Sequence, residues 1–184
     1  MAVVLIATAV HQMWPENKDV WNEGSTHSGW RVVFDGYGGV RGSASGDRIE
    51  LRPNETTSAS TTHGALVASS DTHADVTFTV DVQTNEQMRR PSPNPWEVGW
   101  VLVRYQDRNH FYAFVPKPNG WELSKQDPAF RGSQRFLASG TTPTFQVGDR
   151  HRVRFEARGP TLTITVDDRH LTTFTDTDSP YLTG

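Results

Sequence analysis

Residues 94–127, NPWEVGWVLVRYQDRNHFYAFVPKPNGWELSKQD, decide the predicted fold of this chain. The stretch contains three strand-like runs separated by the polar connections QDRN and PNG, at 96–105, 110–117 and 121–126. Short connections of this kind join neighbouring antiparallel strands. In PNG, the proline fixes the first turn position, and the asparagine and glycine tolerate the left-handed backbone that closes a hairpin. The stretch therefore predicts a three-stranded antiparallel meander.

The same alternation of apolar and polar residues recurs from about residue 30 to the end of the chain, without a convincing amphipathic helix. At 76–83 and 152–158 it is typical of strands with one buried face. The run TLTITV at 161–166, followed by DDRH and LTTF, predicts a further hairpin. Gly-, Pro-, Ser- and Asn-rich connectors join these runs, and none is long enough to be an interdomain linker: DGYGG at 35–39, RPNETTSAS at 52–60, RRPSPNP at 89–95 and ASGTTP at 138–143. We therefore predict an all-β, two-sheet antiparallel sandwich or jelly roll.

The composition limits the classes of function. A chain of 184 residues, with 35% hydrophobic residues, 21% charged residues and a net charge of −3, fits one soluble domain, which we place at 21–184. This charge indicates neither a nucleic-acid partner nor a membrane partner, and we expect a monomer. The chain has no cysteine, which excludes disulfides, thiolate metal sites and a cysteine nucleophile.

The N-terminal segment, residues 1–20, has two interpretations. Its apolar run is followed by Ala7 and Ala9 in the A-x-A arrangement of a signal-peptidase site, but it has no basic residues in front. It is either a first strand or disordered start, or the remnant of an export signal. We favour the export signal, and with it a secreted protein.

Strand register determines which side chains of the meander lie together. Pairing Tyr105 with His110, and Lys117 with Trp121, produces two faces. The predicted core face holds Trp96, Val98, Trp100, Leu102, Phe111, Ala113, Val115, Trp121 and Leu123. The other holds Glu97, Val101, Val103, Tyr105, His110, Tyr112, Phe114, Glu122, Ser124 and Gln126. Rings with polar edges suit sugars, so the second face is predicted to be the floor of a groove. The alternative is that its aromatic residues only cap the core.

Three motifs resemble a family of secreted jelly-roll proteins, actinobacterial and fungal, related to the glucuronan lyases. They are NPWEVGWVL at 94–102, HFYAFVPKPNGWEL at 110–123 and QRFLASGTTPTF at 134–145. The likeness extends from about residue 30 to residue 184, and the closing strands are similar to those of concanavalin-A-like folds. It implies a β-jelly roll, an extracellular setting and a concave groove that binds polysaccharide.

The same resemblance implies a structural calcium ion, because the family includes a fungal calcium-binding protein that is co-produced with cellulases. Glu23 lies near the position where the family places an acidic calcium ligand. Relatives usually continue beyond the PYLTG motif at 180–184 into one or two strands that supply further acidic ligands. The resemblance therefore predicts a sandwich without its last strands and a weakened calcium site. No organic cofactor is expected.

A lyase that cleaves a uronate-containing glycan by β-elimination neutralises the sugar carboxylate, removes the adjacent proton and protonates the leaving oxygen. His110 and Tyr112, two residues apart on the predicted groove face, are the candidate catalytic pair. The candidate substrate-binding residues are Glu97, Tyr105, Glu122, Gln126, Arg89, Arg90 and Lys125. Gln126 or the two arginines would meet the carboxylate.

Two other functions are compatible with the same residues. Glu97 and Glu122 lie on the outer strands of the meander, with backbones roughly 10 Å apart, and could act as the carboxylate pair of a glycoside hydrolase. A carbohydrate-binding module without catalysis could use the same aromatic face. We predict a polysaccharide-active protein of the lyase type, with hydrolysis and binding alone as alternatives.

Overall fold

The computed structural model describes residues 19–58 and 60–184. Most of the predicted N-terminal segment, with its candidate signal motif, lies outside these residues. The described part contains fourteen strands: β1 (Asp19–Trp21), β2 (Thr26–His27), β3 (Trp30–Phe34), β4 (Gly39–Gly42), β5 (Ile49–Arg52), β6 (Leu66–Ser69), β7 (Val76–Gln83), β8 (Val101–Asp107), β9 (His110–Lys117), β10 (Gly120–Gln126), β11 (Gln134–Gly140), β12 (Arg150–Arg158), β13 (Thr161–Val166) and β14 (Arg169–Thr175). One 3-10 turn, Arg131–Ser133, precedes β11.

The strands form four antiparallel sheets, which confirms the prediction of an all-β sandwich. Their orders are β11-β10-β9-β8, β14-β13-β12-β7, β1-β4-β5 and β2-β3-β6. Within residues 19–58 and 60–184 the structure contains no helix of the length and apolarity needed to cross a bilayer.

The two four-stranded sheets enclose the main core. Alternate residues of β12 and β13, among them Phe155 and Ile164, are fully buried against Phe114 and Leu123 of the facing sheet. The prediction that the strands at 152–158 and 161–166 each bury one face is therefore confirmed. Each large apolar side chain buried in this way contributes about 1.5–3 kcal/mol.

The predicted register of the meander is confirmed in the body of β8 and β9, where Val101 pairs with Phe114 and Val103 with Tyr112, as a Tyr105–His110 pairing requires. It is wrong at the end of β8, where the register shifts after Val103, and between β9 and β10. His110 pairs with Asp107, not Tyr105, and Lys117 pairs with Gly120, not Trp121. Both connections are thus two-residue turns, and Gly120 belongs to the ladder. A β-carbon at Gly120 would lie 2.0 Å from the carbonyl oxygen of Gly140 on β11, so this close pairing needs a glycine. The slip exchanges the two faces of β10 relative to β9.

The predicted open face of the meander is also wrong, because both of its faces are covered. Tyr112 and Phe114, expected in a groove, are fully buried in the main core. On the other side, Phe111 and Val115 pack with Leu66 of β6.

The two three-stranded sheets form a separate core. Trp21, Val40 and Leu51 of β1, β4 and β5 pack against Val32 and Val67 of β3 and β6. Because side chains alternate along a strand, the opposite face of the β1-β4-β5 sheet points outward. That outer face carries Val20, Arg41, Glu50 and Arg52.

Candidate functional site

The structure divides the predicted site residues between two regions. His110, Tyr112, Lys125 and Gln126 lie near the C-terminal residues 176–184, whereas Arg89, Arg90 and Glu97 lie beside the β1-β4-β5 sheet.

The region around Tyr112 is a closed polar network. The Tyr112 hydroxyl donates to Asp176 Oδ2 at 2.6 Å and accepts from the Tyr181 backbone N–H at 3.0 Å. Lys125 is fully buried, and its Nζ atom lies 3.0 Å from Asp176 Oδ2. The same Nζ donates hydrogen bonds to the backbone carbonyls of Asp178 and Ser179, both at 2.8 Å. These bonds hold the C-terminal segment against β9 and β10. Asp176 is the centre of this network.

The electrostatics of the network oppose proton exchange by Tyr112. Burial, and then the hydrogen bond to Asp176, raise the pKa of Tyr112 well above its usual range. Burial works against ionisation of Asp176, but hydrogen bonds from Tyr112, the Asp178 N–H and Lys125 lower its pKa overall. Tyr112 is therefore a neutral hydrogen-bond donor to a carboxylate, and its assigned part in proton transfer stays a prediction that this geometry does not support.

His110 is partly exposed. Its Nδ1 atom lies 2.9 Å from both carboxylate oxygens of Asp107, and its ring meets the edge of Tyr181 with centroids 5.7 Å apart. The Asn109 backbone N–H and His110 itself keep the pKa of Asp107 below its usual value in spite of some desolvation. The catalytic role of His110 stays a prediction.

Two other predicted ligands, Tyr105 and Glu122, have side-chain partners within the protein, and Gln126 is bonded through its backbone. Tyr105 stacks on Phe111 with centroids 5.9 Å apart, and burial raises its pKa. Glu122 accepts a hydrogen bond from Lys117. The Gln126 backbone carbonyl accepts from the Tyr181 hydroxyl at 2.9 Å.

The calcium prediction rests on Glu23, which is exposed and accepts a long 3.4 Å hydrogen bond from the Asp35 N–H. Across the described ranges, no three His, Asp or Glu side chains gather in a group that could hold a metal ion. Calcium prefers six to eight oxygen ligands, which the carboxylates placed here do not supply. Calcium binding at Glu23 stays a prediction.

A wide cavity of about 570 Å³ lies on the outer face of the β1-β4-β5 sheet. We call it the Tyr37 cavity. It is lined by Val20, Tyr37, Gly38, Gly39, Val40, Arg41, Arg52, Pro53, Asn54, Glu55, Glu86, Met88 and Arg90. Its walls come from the β3–β4 loop, the residues after β5 and the segment after β7.

Tyr37 is the most exposed of the large hydrophobic residues in the described part of the chain, at 79%. It has φ 62°, a left-handed conformation that bulky residues rarely adopt and that occurs often at binding sites. Its N–H donates to Asp35 Oδ1 at 2.9 Å, which fixes the turn. A β-carbon at Gly38 would lie 2.0 Å from the Arg52 carbonyl oxygen, so the loop packs directly on β5. Tyr37 thus projects an aromatic ring from a fixed backbone.

A smaller cavity of about 160 Å³ adjoins the first, and we call it the Trp96 cavity. It is lined by Asn54, Thr56, Thr62, His63, Gly64, Met88, Arg89, Trp96, Glu97 and Trp100. Arg89 and Glu97, both predicted to bind substrate, instead form a buried ion pair with Nε and Oε1 2.6 Å apart. Arg89 also donates to the Thr61 carbonyl at 2.8 Å, the Thr62 hydroxyl at 2.9 Å and the Ser58 carbonyl. This arginine ties together the two loops that form the cavity.

The two cavities share a wall. Asn54 and Met88 line both of them. The rings of Tyr37 and His63, one from each cavity, meet edge to face with centroids 5.0 Å apart. His63 Nδ1 in turn lies 3.1 Å from the Asn54 carbonyl oxygen.

Sequence reasoning missed Tyr37, Arg41 and Arg52, because DGYGG was interpreted only as a connector. The available signal was an aromatic residue between glycines, where no core position was expected. Arg90, predicted to bind substrate, lines the Tyr37 cavity and pairs with Glu86 at 2.5 Å. Glu97 and Glu122, the pair proposed for hydrolysis, do not share a site. Glu97 forms an ion pair with Arg89, and Glu122 forms one with Lys117.

The fold is an antiparallel β-sandwich. One solved structure that shares it is the carbohydrate-binding module CBM66 from Bacillus subtilis, with a TM-score of 0.56 and 18% sequence identity over 89% of this chain and 88% of that chain. At this identity the likeness defines the fold alone. No family model and no curated protein matches the sequence, so the relation to glucuronan lyases stays a prediction.

Proposed function

We propose that this protein binds carbohydrate in the Tyr37 cavity. The observation that carries the proposal is the ring of Tyr37, 79% exposed and held by a fixed loop above a concave surface of arginines and carboxylates. Sugar rings have apolar C–H faces that stack on aromatic rings, and hydroxyls that need donors and acceptors. The fold of a known carbohydrate-binding module supports the proposal.

The cavity has the size and the polar groups that such a ligand needs. Its volume of about 570 Å³ lies within the usual range for small-molecule sites, roughly 300–1,000 Å³. Arginines donate hydrogen bonds to sugar hydroxyls, and glutamates accept from them.

An acidic sugar is the favoured ligand class. Three arginines line the cavity together with two glutamates, and Glu50 lies opposite Arg41 on the same outer face, so the arginines would position a carboxylate within a mixed-charge surface. A guanidinium binds a carboxylate through two parallel hydrogen bonds, which gives both strength and orientation. A uronate-containing polysaccharide, also implied by the sequence resemblance, meets this preference. Export from the cell, predicted from the N-terminal residues, fits a ligand that lies outside it.

Binding without cleavage is the proposed mode. Tyr112, the candidate acid, is buried with its hydroxyl bonded to Asp176, and the two candidate glutamates of a hydrolase are engaged in separate ion pairs. Incubation with glucuronan should therefore give no rise in ultraviolet absorbance from unsaturated product. A steady rise that the His110→Ala variant abolishes would establish the lyase instead.

Isothermal titration with glucuronan oligosaccharides, after a screen of acidic and neutral glycans, tests the binding site. The Tyr37→Ala variant should bind about tenfold more weakly, because it loses the stacking surface. Phe136→Ala is the matched control, since Phe136 is 59% exposed on β11 and should leave binding unchanged. Equal affinities of wild type and Tyr37→Ala would refute the proposed site.

A further inference from the structure

The Trp96 cavity adjoins the Tyr37 cavity but has different chemistry. We propose, on the basis of the proposed function, that it receives an apolar substituent carried by the sugar that the Tyr37 cavity binds. The preferred ligand is then a sugar with an aryl or acyl group, rather than a bare polysaccharide unit.

The first argument is that several polar groups of the Trp96 cavity already have partners. Arg89 is bonded to Glu97 and to the Thr62 hydroxyl, and Glu97 also accepts from the Asn94 N–H at 2.9 Å. His63 Nδ1 contacts the Asn54 carbonyl, and Trp100 Nε1 donates to the Trp96 carbonyl at 2.7 Å. A sugar hydroxyl entering this cavity would find few of these groups available, and an unpaired buried hydroxyl is unfavourable.

The second argument is the character of the remaining surface. Met88, Trp96 and Trp100 provide the apolar wall, and Trp96 keeps 38% of its surface exposed. Indole rings favour offset or edge contacts with another ring, and a thioether adapts its shape to the group beside it. The buried Arg89–Glu97 pair leaves no net charge at this point. A flat apolar group fits such a wall better than a charged or hydroxylated one.

The third argument is continuity. Asn54 and Met88 belong to both cavities, and Tyr37 touches His63 on the rim of the smaller one. A substituent on a sugar stacked against Tyr37 therefore extends directly toward Trp96. The volume of about 160 Å³ is too small for a second drug-sized ligand, but it suits one ring or a short acyl group.

The test compares phenyl and methyl glucuronides, each as the α and the β anomer, by isothermal titration. Phenyl and methyl glucosides form a second, neutral pair. In wild type, at least one phenyl glycoside should bind about tenfold more tightly than its methyl partner. Trp96→Ala should remove this gain and leave the methyl glycoside unchanged, and Trp96→Phe should keep part of it. Tyr37→Ala should weaken both members of the pair.

The outcomes separate the two proposals. Equal binding of phenyl and methyl glycosides in wild type, or a gain that persists in Trp96→Ala, overturns the apolar subsite while leaving binding in the Tyr37 cavity intact. If glucuronan oligosaccharides bind but none of these glycosides does, the apolar subsite alone is refuted; if neither the oligosaccharides nor the glycosides bind, both proposals are refuted. Because the Trp96 side chain is partly exposed and Trp100 bonds to its backbone, the variants should keep the wild-type melting temperature, which a thermal scan verifies.

Discussion

Replacing Arg89 by methionine tests whether the ion pair beneath the Trp96 cavity is structural. The Arg89 side chain is 6% exposed, and it donates to Glu97 and to three groups of the 58–62 segment. Methionine keeps much of the length but not the charge, so Glu97, 8% exposed, would stay buried without its cation. Loss of one partner from a buried pair costs about 3–5 kcal/mol, a large share of the stability of about 5–15 kcal/mol typical of a domain.

Thermal and urea unfolding measure this cost. For a domain of this size each kcal/mol shifts the melting temperature by about 2–4 °C, so Arg89→Met should lower it by about 10 °C. Adding Glu97→Gln to Arg89→Met should restore part of the loss, because it removes the unpaired charge.

The neighbouring residue provides the control. Arg90 also forms an ion pair, with Glu86, but its side chain is 48% exposed, so Arg90→Met should cost less than about 1 kcal/mol. If Arg89→Met and Arg90→Met destabilise the protein equally, the pair is not the structural element described. If Arg89→Met keeps full stability and loses glycan binding, Arg89 is a substrate ligand, as the sequence predicted.

Three further predictions concern Tyr112 and Asp176 in the buried network and His63 beside Tyr37. Burial and the Asp176 bond raise the pKa of Tyr112, so its stabilisation is complete below about pH 10 and is lost as the pH rises above that value; melting temperatures should fall there, and less steeply in Tyr112→Phe. The lowered pKa of Asp176 has the opposite effect, with stability lost as the pH falls below about 4, and Asp176→Asn should reduce that dependence. His63→Ala removes the ring that contacts Tyr37. Because the interaction energy of one aromatic pair is small, this variant should weaken glycan binding by about threefold. Isothermal titration measures the loss, and the melting temperature should stay unchanged. An alkaline profile identical in Tyr112→Phe, or unchanged affinity in His63→Ala, would contradict the respective prediction.

The sequence predicted the strands well, because alternation reports directly on a pleated, half-buried backbone. It did not determine the register of β10, since PNG can close either a two-residue or a three-residue turn. The choice depends on the close approach of Gly120 to the carbonyl oxygen of Gly140 on β11, about 20 positions away in sequence. A run such as HFYAFVPK also does not reveal whether one or both faces are buried, so a doubly covered strand was interpreted as the floor of a groove.

The candidate site was harder to predict because it is assembled from distant segments. Tyr37, Arg52 and Arg90 come from three parts of the chain, and no local motif links them. Arg89 and Glu97 were predicted to bind substrate, and the structure places them in an ion pair with Nε and Oε1 2.6 Å apart. A charged side chain that becomes buried needs an opposite charge beside it, but the sequence does not show which charged residues the fold brings together.

The location of bound glycan tests the central claim most directly. Amide chemical shifts of ¹⁵N-labelled protein, followed during titration with glucuronan oligosaccharides, report binding residue by residue. We predict that the largest shifts occur at residues 37–41, 52–55 and 86–90, around the Tyr37 cavity. Shifts concentrated instead at His110 and Gln126, with residues 37–41 unaffected, would contradict the account and return the site to the meander.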